Sequence, residues 1–147
     1  MRKITLIAAM DQNRVIGYQG RLPWRVKGEL AHFKNSTMGK PLILGRKTFE
    51  SLGGKTLPGR EILVVSRNGL SLEEALEQTK SAPEVMIGGG AQIYEQCLSV
   101  ATHMILSIID GEYSGDTYFP EFDTQKWKLD QEEPRDGFKI QFWSRAA

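Results

Sequence analysis

The sequence predicts an α/β protein: one domain on a mixed, mostly parallel central β-sheet, with helices on both faces and a C-terminal antiparallel hairpin. Three observations point there. Residues 4–10, 41–45, 61–66, 84–88 and 103–109 are short apolar runs with little alternation, as strands buried on both faces read. Helical stretches fall between successive runs, near 26–35, 46–52, 71–79 and 91–98, which is the pattern of parallel strands joined by crossover helices. The end of the chain behaves differently. There Phe138, Ile140 and Phe142 alternate with Lys139, Gln141 and Trp143, and with residues 127–131 they read as a hairpin covered on one face.

The individual elements carry their own signals. In residues 4–10 the small Ala8 and Ala9 allow close approach to the strand, by a ligand or by a packed helix. Residues 11–22 hold two glycines and no steady period, so they read as a long loop, and such loops often cover binding sites. Pro23 presets the backbone for a turn ahead of the first helix. Ser71 with Glu74 forms a capping box that opens the third helix. Residues 110–118 are rich in turn formers and read as a loop.

Composition excludes several function classes. The 147 residues suffice for a sizeable core, with 40% hydrophobic and 25% charged residues. A net charge of +1 makes no electrostatic case for nucleic acid or an anionic membrane. Cys97 is the only cysteine, so no internal disulfide or CxxC site can form, and no metal is expected. No apolar run approaches a membrane span, and residues 1–5 lead into a strand without a signal-peptide core. A cytoplasmic enzyme or binding protein is expected.

The chemistry concentrates in residues 22–34. At about 100° per residue, Val26, Leu30 and Phe33 share one stripe of the first helix, with Glu29 on its edge. A carboxylate facing an apolar concavity without a cation has a raised pKa and suits proton donation or anchoring of an amidine-like ligand. The plain alternative is a solvated Glu on a surface helix. Two strand-to-helix junctions suit anions. Gly45 leads into Arg46, Lys47 and Thr48, whose free N–H groups, charges and hydroxyl favour a phosphate. Gly88, Gly89 and Gly90 lead into Ala91, and three glycines permit close approach of backbone to a pyrophosphate or serve a tight turn. The usual GxGxxG fingerprint is absent. Ser66 and Arg67 end the third of these runs, where ligands of parallel sheets gather. Arg60 follows a Pro-Gly turn and suits either a ligand carboxylate or a surface ion pair. Ser107 is the lone hydroxyl inside its strand and needs a partner if buried.

The ordered set Ile7-Ala8-Ala9, Val15-Ile16-Gly17, Leu22-Pro23-Trp24, Gly45-Arg46-Lys47-Thr48-Phe49-Glu50-Ser51, Leu57-Pro58-Gly59-Arg60, Gly89-Gly90-Ala91-Gln92-Ile93-Tyr94 and Gly115-Asp116-Thr117-Tyr118-Phe119-Pro120 resembles dihydrofolate reductase over nearly the whole chain. The resemblance implies NADPH-dependent reduction of 7,8-dihydrofolate to tetrahydrofolate, by hydride transfer to C6 of the pterin and protonation of N5. It implies a monomer that binds dihydrofolate and antifolate inhibitors. Glu29 matches the family's single acid, Ser107 the hydroxyl that bonds it, and Leu22 and Trp24 the mobile loop over the nicotinamide. Ile7, Leu30, Phe33, Leu52 and Gly88 match the folate pocket, and Arg60 the arginine that grips the substrate's α-carboxylate. Ala9, Ile16 and Gly17 match the nicotinamide end. Gly45, Arg46, Lys47, Thr48, Ser66, Arg67, Gly89, Gly90, Ala91, Gln92, Ile93 and Tyr94 match the rest of the cofactor site. The same resemblance admits a related pterin or pyrimidine reductase, such as the riboflavin-pathway reductase, and a non-catalytic folate- or nucleotide-binding module.

Some residues depart from the family pattern. Only Arg67, Asn68, Gly69 and Leu70 separate Ser66 from Ser71, where relatives have a longer loop. Gly88 stands where many relatives carry a branched apolar residue, so a wider pocket is expected there. Gln92 replaces an arginine that some bacterial relatives use near the 2′-phosphate, which leaves that role to Arg46 and Arg67. Glu29 replaces the commoner Asp. The run Lys27-Gly28-Glu29 resembles trimethoprim-insensitive members carried on mobile elements, so weak trimethoprim binding is expected.

Overall fold

A computed structural model describes residues 2–18, 23–24, 26–51 and 59–146, apart from the side chains of Lys27 and Ser51. The elements run β1 (Lys3–Asp11), β2 (Val15–Gly17), α1 (Lys27–Thr37), β3 (Leu42–Gly45), α2 (Arg46–Ser51), β4 (Ile62–Val65), α3 (Leu72–Gln78), β5 (Glu84–Ile87), α4 (Ala91–Cys97), β6 (His103–Ile109), β7 (Thr117–Tyr118), β8 (Trp127–Arg135) and β9 (Phe138–Arg145). Among these residues one seven-stranded sheet runs in the order β4-β3-β5-β1-β6-β9-β8. The pairs from β4 to β6 are parallel, and β9 and β8 add antiparallel. The mixed sheet and the terminal hairpin agree with the sequence reading.

Strand alternation sorts the core onto two faces. On one face Leu6, Ile43, Val85, Ile87 and Met104 meet Leu72 and Ala75 of α3 and Ile93, Tyr94 and Cys97 of α4. On the other, Ile7, Leu42, Leu44 and Met86 meet Phe33 of α1 and Phe49 of α2. Strands sandwiched in this way need apolar residues at every position, which explains the unbroken runs in the sequence.

Local signals set the helix ends. Gly39 follows α1 with a φ of 75°, the left-handed stop that glycine adopts without strain. The Ser71 side chain accepts from the Glu74 backbone while the Glu74 carboxylate accepts from the Ser71 backbone, so the capping box of α3 is complete.

Several expectations need correction. The stretches read as loops at 11–22 and 110–118 contain β2 and β7, which pair with each other as a separate two-stranded ribbon. Strands this short have no period to read, and their partners lie about a hundred positions away in the chain. The strand expected to end at residue 131 continues to Arg135. Its added residues are polar and include Pro134, which an edge strand tolerates. The alternation puts Trp143 on the solvent side of the hairpin. It packs instead on the main core, with its ring 5.2 Å from that of Phe122. Leu30 was placed on the buried stripe of α1 and is 49% exposed. The sheet covers the Phe33 side of the helix and leaves Leu30 at its margin.

Candidate active site

The parallel register brings the carboxyl ends of β1, β3, β4 and β5 to one edge of the sheet. Ligands of such sheets bind there. Most of the residues singled out from sequence gather at this edge or on the α1 face beside it.

Glu29 lies in the first turn of α1 and is partly buried. Its carboxyl makes no ion pair or hydrogen bond among the described residues. Burial alone pushes its pKa above the ordinary carboxylate range. Its negative charge also reaches Tyr94: burial first, and Glu29 second, push the phenol pKa upward. The Tyr94 hydroxyl donates to the Ile7 carbonyl at 2.7 Å.

Other buried polar groups, Ser107 Oγ, Trp24 Nε1 and His32 Nε2, have no partner among the described residues. Ser107 is buried, and its Oγ bonds to nothing described. In the register Ser107 lies between Ala9 on β1 and Ile140 on β9. Ala9 and Ile140 pack in the same cluster as Trp24 and Val26, one turn before Glu29. Trp24 is buried edge-on to Tyr113, with centroids 5.4 Å apart, and its indole Nε1 is also unpartnered. Buried donors and acceptors are nearly always satisfied, so such orphans suit a ligand or ordered water.

The pocket wall is partly as expected. Ile7 and Phe33 pack together with Leu42 and Leu44. The wider pocket expected at Gly88 is not present. A Cβ there would come within 2.6 Å of the Leu44 Cδ2 and 3.1 Å of the Leu42 Cδ1. The two leucines occupy the space a side chain would take. Arg60 donates from Nε to the Thr37 hydroxyl at 2.7 Å and from Nη2 to the Lys34 carbonyl at 2.5 Å. It caps the carbonyl end of α1, which orients its guanidinium rigidly beside the helix that carries Glu29. Leu22 and Leu52 lie outside the described residues.

The two anion-suited junctions meet. The Gly45 N–H donates to the Gly89 carbonyl at 2.7 Å. A Cβ on Gly90 would stand 3.2 Å from the Thr48 hydroxyl, and one on Gly45 would stand 3.3 Å from Ile93. Gly89 has a φ of 107°, and the Gly89–Gly90 bond is cis. Only glycines leave this cradle open, and Ala91, Ile93 and Tyr94 of α4 follow directly from it. Arg46 and Lys47 are exposed beside it, with Arg46 held 3.0 Å from Glu50. Gln92 is exposed on α4. Ser66 and the exposed Arg67 stand at the same edge beyond β4, where the Ser66 N–H donates to the Leu70 carbonyl. A glycine cradle flanked by cations and hydroxyls fits a dinucleotide pyrophosphate. Ile16 packs against the main core, and the Gly17 carbonyl accepts from the Asp116 N–H at 3.0 Å.

A groove of about 430 Å³ between α1, β8 and β9 is lined by Gly28, Ala31, His32, Asn35, Ser36, Arg135 and Phe142. Sequence reading missed Asp11, a wholly buried carboxylate at the end of β1. An Asp at a strand end looks like a turn former, and nothing local marks it as buried.

Fold and site together define an α/β protein with a desolvated acid on its first helix and a glycine-lined strand-to-helix junction at the carboxyl edge of its sheet. A family model described as dihydrofolate reductase matches residues 3–143. A relative from Neisseria meningitidis named dihydrofolate reductase is 44% identical, with 87% of this chain and 85% of its own length covered. A dihydrofolate reductase type 3 from Salmonella typhimurium is 42% identical, with 85% and 83% covered. A solved dihydrofolate reductase from Enterococcus faecalis, complexed with NADP(H) and RAB-propyl, superimposes with a TM-score of 0.89 at 28% identity, covering 99% of this chain and 97% of that one. The chain belongs to the dihydrofolate reductase family.

Proposed function

We propose that Glu29 carries the family's reaction in this chain: the NADPH-dependent reduction of 7,8-dihydrofolate to 5,6,7,8-tetrahydrofolate. The observation that supports it is the Glu29 carboxyl, desolvated and without a partner among the described residues, together with the orphaned Ser107 Oγ and Trp24 Nε1. A carboxyl of raised pKa serves both halves of the task. Ionised, it holds the 2-amino group and N3 of the pterin by charge-assisted hydrogen bonds. It also favours arrival of a proton at N5, through water, as hydride reaches C6. The low dielectric around it strengthens both interactions.

The family resemblance supports the remaining roles. On the family pattern the Ser107 hydroxyl, unpartnered among the described residues, would turn to orient the Glu29 carboxyl, and the Trp24 indole N–H would hold a water. Ile7, Leu30 and Phe33 would line the pterin and benzoyl wall beside the Gly88 backbone, while the roles the resemblance gives Leu52 in that wall and Leu22 in the loop over the nicotinamide fall outside the described residues. Arg60 pairs with the substrate's α-carboxylate through a guanidinium fixed by Thr37 and Lys34. NADPH, when bound, supplies the hydride. Gly45, Thr48, Gly89, Gly90 and Ala91 would cradle its pyrophosphate, with Ile93 behind them. Arg46, Lys47, Ser66, Arg67 and Gln92 would face its adenosine phosphates. Ala9, Ile16, Gly17 and Tyr94 would border its nicotinamide. Stacking two flat rings in one cleft supplies orientation, which accounts for a large share of the acceleration.

On this reading the chain acts as a cytoplasmic monomer without nucleic-acid partners, consistent with its balanced charge. No helix among the described residues is long and apolar enough to cross a membrane. The Lys27-Gly28-Glu29 run supports weak trimethoprim inhibition, which an inhibition curve of nanomolar-class potency would overturn. The test of the function is NADPH oxidation that depends on dihydrofolate. Oxidation with a ribosylaminopyrimidine instead would reassign the chain, and binding without turnover would make it a module.

A further inference from the structure

We propose that Asp11 is a positioning residue for this reaction, fixing the segment that carries Ile16 and Gly17 and the loop that carries Tyr113 in one arrangement. This rests on the reading above for what those segments border, and on the hydrogen bonds for everything else. The Asp11 side chain is fully buried, with a relative exposure of 0%. Its Oδ1 accepts from the Asn13 N–H and the Val15 N–H, each at 2.9 Å. Its Oδ2 accepts from the Tyr113 N–H at 2.9 Å. No cation pairs with it among the described residues. Three backbone donors satisfy the charge instead, a strong way to hold a buried carboxylate.

Those donors belong to two segments that reach the cleft. The turn after β1 leads directly into Val15, Ile16 and Gly17. The loop after β6 carries Tyr113, whose ring packs edge-on against Trp24. The Gln12 amide donates to Glu112 at 2.8 Å, a second tie between the same two segments at the surface. Farther along, the Arg14 carbonyl accepts from the Phe119 N–H and the Gly17 carbonyl from the Asp116 N–H. Asp11 is thus the buried pin from which both segments are set, and displacement there moves Ile16 and Trp24 together. An isosteric Asn cannot replace it. Whichever way its amide turns, an NH₂ group opposes a backbone N–H that now meets an oxygen.

The test is Asp11→Asn, with folding checked by circular dichroism. The expected result is a kcat reduced about tenfold with the KM for dihydrofolate changed less than about threefold, since misplacement degrades orientation more than substrate binding. The Trp24 indole N–H resonance should shift in the free protein, a readout independent of turnover. A folded variant with unchanged kcat and an unmoved Trp24 resonance overturns the proposal. Asp11→Ser keeps one short acceptor for the turn after β1 and leaves the Tyr113 N–H unpaired. It should move the same resonance and lower kcat, and it decides the matter if Asp11→Asn does not fold. Loss of the reductase reading itself would show as a wild type without dihydrofolate-dependent oxidation, whatever the resonances do.

Discussion

The Tyr94 hydroxyl donates to the carbonyl of Ile7 at 2.7 Å, joining α4 to the middle of β1 inside the core. Tyr94→Phe leaves that carbonyl buried and unpaired. The expected loss of stability is about 1–2 kcal/mol, close to the desolvation penalty of one orphaned acceptor. Chemical denaturation measures it, and an unchanged midpoint would mean that water replaces the hydroxyl.

Gly89 has a φ of 107°, and a Cβ there would come within 2.9 Å of the Tyr94 hydroxyl. Gly89→Ala therefore combines backbone strain with displacement of that hydroxyl. It should cost about 2 kcal/mol or more and weaken NADPH binding, because the cradle deforms. Thermal unfolding and a cofactor titration check the two effects separately.

The raised pKa of Glu29 is a stability statement with a definite sign. The folded chain binds the proton more tightly than the unfolded chain does, so Glu29 opposes folding once pH rises above the unfolded value, about 4.3. The penalty is complete above the folded value. Glu29→Gln should accordingly melt at a higher temperature than wild type at pH 7. The two curves should converge as pH falls toward 4. Equal melting temperatures throughout would place the carboxyl in water.

His32 has the opposite sign. Its Nδ1 lies 3.3 Å from the Ser36 hydroxyl, and its Nε2 is buried without a partner among the described residues. Burial, and then Arg135, lower its pKa against a smaller opposing effect of Glu133. The folded chain resists the proton, so stability is lost as pH falls below the unfolded value, about 6.5. His32→Gln should flatten the fall in melting temperature between pH 7 and pH 5. An equally steep fall in the variant would assign it to other groups.

The sheet was legible because its strands are buried on both faces and its helices carry their own punctuation. Ser71 with Glu74 and the glycines at 45 and 88–90 act within a few residues of themselves, so local pattern suffices. The β2–β7 ribbon was not legible, since neither strand is long enough to show a period. Trp143 was misplaced because alternation predicts two faces but not what covers the second one. At the site, the acid on α1 and the glycine cradle could be read from residue types and spacing. Asp11 could not, because its three donors come together only in the folded chain. Leu42 and Leu44 fill the space beside Gly88 for the same reason: a missing side chain in the sequence says nothing about which neighbours lean into its place.

The most direct test of the central claim is the pH profile of dihydrofolate-dependent NADPH oxidation by Glu29→Gln beside wild type. Removing the carboxyl should lower turnover about 10²- to 10³-fold at pH 7. The loss should narrow at acidic pH, where solvent supplies the N5 proton. Turnover near the wild-type rate at pH 7, in a folded variant, would contradict the role given to Glu29.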